Sequence, residues 1–219
     1  MRTPILYLDI LLIALSFYPS GVTQIIALAK RPGTSPQLRY MKIGTIYLAA
    51  ILALAALYLP YYDSFTLRLS LKGILLGLAA AILLTPLEYG AGYILLRAKG
   101  IPVKRGLEIH KTWQNQSAAV WALTIVYAVL EELLYRGVWG ALLIDQFGAA
   151  WYVFLICSAI LYGINHLYMG SSAVMQKFLT GICLGAVYLL SGRELLVPVI
   201  AHVGQNLILW GVNRRNRCA

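Results

Sequence analysis

The chain has 219 residues, of which 60% are hydrophobic and 12% charged, and its mean hydropathy is +0.75. Soluble domains carry about a quarter charged residues, so that class is excluded in favour of a membrane protein. The formal net charge of +10 does not indicate nucleic acid, because Lys and Arg fall in short loops between apolar runs and form no stripe on one amphipathic element.

Apolar runs near the roughly 20 residues that cross a bilayer recur along nearly the whole length. They are too long for barrel strands, and in lipid the backbone must then bond within helices. The expectation is all-α: one integral membrane domain over 1–219, a polytopic transmembrane helix bundle of about seven spans. In chain order the helices are expected at about 5–29, 43–60, 73–96, 113–144, 150–168, 171–190 and 195–212. The first run, Pro4 to Ala29, is too long for a signal peptide and lacks a small-residue cleavage pattern, so it reads as a retained span. Pro86 and Gly90 are candidate kink positions in the third helix. Gly73/Gly77 and Gly181/Gly185 have the spacing that lets helices approach closely. Cys157 and Cys183 fall in apolar runs and Cys218 lies beside the C-terminus. With so few, they read as small hydrophobes rather than a disulfide framework.

The segments "KRPGTSPQLRYMK", "RAKGIPVKRGLEIHK" and "NRRNR" bring about 12 Lys and Arg to one side, against roughly 4 on the other. That side is expected to be cytoplasmic, with the N-terminus outside and the C-terminus inside, as an odd number of spans requires.

"VYAVLEELLYRGVWGALL" places Glu131, Glu132 and Arg136 inside an apolar run. Ionisable groups within a membrane cost a few kcal/mol each, so they pair, line a cavity or mark a functional site. On a helix Glu132 and Arg136 share a face and can form an ion pair, whereas Glu131 is rotated by about 100° and is left without that cation. A carboxylate so placed is suited to general acid or base work. The fifth span supplies His166 in "LYGINHL", and the seventh supplies His202 and Asn206, four apart and on one face, in "VIAHVGQNLI". Two imidazoles and an amide meet the needs of water activation and oxyanion stabilisation. Glu131 and His166 each lie some 20 to 28 Å from the turn "DQFG" at about 1.5 Å per residue, and His202 and Asn206 roughly 14 to 20 Å from "SGRE", so all four can line one polar cavity.

These residues resemble a known family. "EELLYR" fits an EExxxR motif, "YGINH" (Tyr162 to His166) is similar to FxxxH, and "HVGQN" fits HxxxN, in that order on separate spans. From about Gln114 to Trp210 the chain resembles the CPBP family of intramembrane glutamic-type endopeptidases, related to CAAX prenyl endopeptidases and bacteriocin-processing enzymes. Residues 113–212 would then be the catalytic core, and 1–112 N-terminal spans without a recognised motif. The resemblance implies that Glu131 and His166 activate the attacking water, that His202 and Asn206 form the oxyanion site, and that Glu132 with Arg136 orders the catalytic helix. Tyr162 stands where the family has Phe, which keeps an aromatic support behind His166 and adds a hydroxyl. No cofactor is expected. Zinc is the alternative, because Glu131, His166 and His202 are a ligand set of the right chemistry.

The expected activity is hydrolysis of a peptide bond near the C-terminus of a membrane-anchored or lipidated protein or peptide, with the lipid bilayer as the other partner and no nucleic acid. A sorting or transfer protease acting on C-terminal membrane signals keeps the same residues. A non-enzymatic immunity or partner-binding membrane protein would use the cavity only to hold a ligand. Glu88, after Pro86, reads as a structural contact to a neighbouring helix, and His110, in a basic loop, as solvated.

Overall fold

A computed structural model describes residues 2–27, 35–57, 63–65, 67–102 and 116–218. Among these, every regular element is helical. The helices are α1 (Arg2–Ser16), α2 (Pro19–Ala27), α3 (Pro36–Ala55), α4 (Leu71–Ala98), α5 (Ala118–Glu132), α6 (Trp151–Ile164), α7 (Ser171–Leu190) and α8 (Leu196–Cys218), with short 3-10 turns at Asp63–Phe65 and Leu167–Met169. α5 runs on through two π-helical stretches, Leu133–Val138 and Ala141–Gln146.

Four of these elements are long and apolar enough to cross a membrane: Pro36–Ala55, Leu71–Ala98, Ala118–Gln146 and Ser171–Leu190. Leu6–Ser16 and Pro19–Ala27 would make a fifth together but are bent by 59°, and Trp151–Ile164 and Leu196–Val212 are shorter apolar helices. Among the described residues, seven helical segments thus stand where seven were expected, with the first broken. Its break follows from Pro19, which opens α2 at the position where a missing N–H costs nothing. Expected and observed helix ends differ most at α3, which starts at Pro36 behind a Ser35 cap: the Ser35 hydroxyl accepts from the Leu38 N–H at 3.2 Å.

α6 packs chiefly on α7 and α4 on α8, while α5 contacts α3 on one side and α8 on the other. The glycine pairs make these approaches possible. A Cβ on Gly77 would lie 2.9 Å from Ile200 of α8, and one on Gly181 would lie 2.9 Å from the Ala159 Cα of α6. α4 continues as one helix through Pro86. Leu134, Tyr135, Val138 and Leu142 of the α5 continuation form the core with Leu48, Phe154, Tyr162, Tyr188 and Leu195. A smaller cluster of Ala80, Leu84, Leu184 and Ala201 has Cys183 packed against it. Cys157 and Cys183 are free thiols, each only partly buried.

The turns between helices sort into two ends. At one end Arg193 bonds Asp145 at 2.5 Å and the Ser64 hydroxyl at 2.9 Å, and Glu194 accepts from Ser70. At the other end the Lys99 ammonium donates to Ser171 and Ser172. Much of the basic loop sequence, including His110, lies outside the described residues.

Candidate active site

The cluster is built where α5 passes α6, α7 and α8. Glu131 and Glu132 end the α-helical part of α5, and Arg136 sits in the π-helical stretch that follows. Such i→i+5 segments are rare and recur at functional sites. The widened segment passes close to its neighbours: a Cβ on Gly137 would meet the Phe65 ring at 2.8 Å, and one on Gly140 would lie 3.2 Å from Ser64 and from the Tyr188 hydroxyl.

Glu132 and Arg136 form the expected ion pair at 3.0 Å, with both side chains fully buried. The second guanidinium nitrogen donates to the Gly181 carbonyl of α7 at 2.9 Å, and the guanidinium lies 5.2 Å from the centre of the Tyr162 ring. Arg136 is thereby held by charge, by a backbone acceptor and by an aromatic face. Glu132 also accepts from His202 Nδ1 at 2.8 Å, which ties α8 to α5.

Glu131 is 4% exposed and lies outside that ion pair. Its Oε1 accepts instead from Asn165 Nδ2 at 3.1 Å. Asn165 closes α6, and its own Oδ1 accepts from the Ser20 backbone N–H of α2 at 2.8 Å. His166 lies not on the α6 helix but one residue beyond its cap, leading into the Leu167–Met169 turn. Its Nδ1 lies 2.9 Å from the Tyr162 carbonyl oxygen. A carbonyl only accepts, so Nδ1 carries the proton and Nε2 of the neutral ring is left as the acceptor. The same reasoning protonates His202 Nδ1 against the Glu132 carboxylate.

Tyr162, fully buried, stands between the two imidazoles, with ring centroids 5.0 Å from His166 and 5.9 Å from His202. Its hydroxyl lies 3.4 Å from His202 Nε2, so the oxygen that distinguishes it from Phe has a partner. Asn206, one turn beyond His202 on α8, is partly buried and makes no hydrogen bond among the described residues. Its neighbour Gln205 donates at 2.8 Å to Glu88, which also pairs with Lys177 at 2.7 Å and accepts from Thr180 at 2.9 Å. Glu88 is thus a contact between α4, α7 and α8.

The geometry therefore gathers Glu131, Glu132, Arg136, Tyr162 and His202 into one buried cluster with His166 at its margin, and leaves Asn206 unengaged. Among the described residues no group of three His, Cys, Asp or Glu side chains is spaced to hold a metal ion. Asn165 is not among the residues that the sequence motifs single out. A buried amide in the apolar run "LYGINHL" was the available signal.

The site thus places a buried Glu, Arg and His cluster within a bundle of apolar helices. Residues 113–208 match the family model described as type II CAAX prenyl endopeptidase Rce1-like, so that stretch of the chain is similar to this family. No curated protein and no solved structure matches the chain.

Proposed function

We propose that the protein is an intramembrane endopeptidase that hydrolyses a peptide bond near the C-terminus of a membrane-anchored or lipidated protein, using water activated by Glu131 and His166. The observation that supports this is the division of labour between adjacent carboxylates. Glu132 is paired with Arg136 and hydrogen-bonded by His202, whereas Glu131 has an amide for a neighbour and remains able to take a proton. A general base and a second acceptor, the His166 Nε2, can draw the proton from water as it attacks the carbonyl. The same proton then goes to the leaving amine, and the peptide bond breaks. Asn206, whose amide is unengaged, supplies N–H donors to the oxyanion, and His202, fixed by Glu132, stands beside it.

No resident metal takes part in this scheme. Purified protein in liposomes should continue to cleave a farnesylated peptide after exhaustive chelation, and activity that vanishes and returns with zinc would refute the scheme. The substrate class is tested by mapping C-termini of membrane proteins in cells with the wild type and with Glu131→Gln. Identical sets of termini would favour a ligand-holding protein instead.

A further inference from the structure

We infer that Asn165 is a positioning residue for Glu131, and that the bent N-terminal helix pair, which carries no recognised motif, is part of the catalytic apparatus through the Ser20 backbone N–H. The inference rests on the proposed role of Glu131 as base. It begins with the break between α1 and α2. Restarting a helix exposes first-turn N–H groups that have no partner within the helix. Ser20 is in that first turn and is fully buried, so its N–H needs an acceptor from elsewhere. Asn165 Oδ1 provides it at 2.8 Å.

This contact decides which way the Asn165 amide faces. An N–H can only donate, so the atom next to Ser20 is the oxygen, and the NH2 group is directed at Glu131 Oε1, 3.1 Å away. All three residues are at most 4% exposed, and in such surroundings a hydrogen bond is stronger than in water. The carboxylate is thus held through Oε1, and in the proposed reaction Oε2 is the oxygen that meets the water. A chain from the backbone of α2 through the α6 cap to α5 therefore sets the orientation of the base. Neither motif residue His166 nor Glu132 makes this contact.

The test uses the full chain in liposomes with a farnesylated, quenched peptide. Asn165→Asp keeps the acceptor for Ser20 and the shape of the side chain but removes the NH2 donor, and Asn165→Ala removes both. Each should lower kcat by about tenfold or more with KM within about twofold. The infrared carboxyl band that disappears in Glu131→Gln should also shift in Asn165→Ala, a readout that needs no substrate. Wild-type kcat in Asn165→Asp, or an unmoved band, overturns the inference. So does a loss of activity that merely tracks a lower melting temperature in both variants. A wild type that leaves the peptide uncut while the band still shifts overturns the protease reading and not the Asn165 contact.

Discussion

Adjacent carboxylates on one helix end acquire different chemistry because only one of them faces the guanidinium. Glu131→Gln should lower kcat by about 10² to 10⁴ while the melting temperature stays near that of the wild type, since an isosteric amide creates no cavity and leaves Oε1 able to accept from Asn165. Arg136→Ala leaves Glu132 buried with only the His202 hydrogen bond, and breaking such a pair costs about 3 to 5 kcal/mol. Melting and cleavage measured on both variants separate the roles: a Glu131→Gln protein that melts as early as Arg136→Ala would make Glu131 a structural charge. Tyr162→Phe should keep kcat within about fivefold, because the hydroxyl contact to His202 is long and a neutral hydrogen bond contributes only about 1 kcal/mol.

Helices reach this arrangement because small residues sit where two elements nearly touch. At Gly181 the backbone of α6 is so close that a side chain has nowhere to go, and the Gly181 carbonyl also anchors Arg136. Gly181→Leu should cost at least about 1 to 3 kcal/mol from overpacking and should lower activity with stability, measurable in the same paired assays. The broken first span serves a similar end. A straight helix through 17–19 would pair its own N–H groups internally, and Ser20 would have none to offer Asn165.

Taken as a whole, the molecule sorts its turns by end, with Asp145, Arg193 and Ser64 joined at one and Lys99 with Ser171 and Ser172 at the other. Both Ser35 and Ile101 are exposed beside the basic loops, and the charge asymmetry leads us to propose that they face the cytoplasm. Single cysteines there, in a background free of native cysteines, should react with an impermeant reagent only after the inner face is opened. Reaction in intact cells would reverse the proposed orientation.

Composition alone determined that this is a helical membrane protein, because burying 60% hydrophobic residues against so few charges leaves lipid as the matching solvent. Local periodicity likewise determined the Glu132–Arg136 pair, since residues four apart on a helix are neighbours whatever surrounds them. The 59° bend was not decided by the sequence: the apolar run dips at "YPSG" around Pro19, but proline is compatible with a helix start as well as with a kink. Nor was the Glu132–His202 bond legible, because spacing places His202 and Asn206 on one face without saying which carboxylate that face meets. Asn165 was hidden for the same reason. Its partners, Ser20 and Glu131, are 145 and 34 residues away, and only the packing of α2 and α5 against the end of α6 brings a backbone donor and a carboxylate to the two ends of one amide.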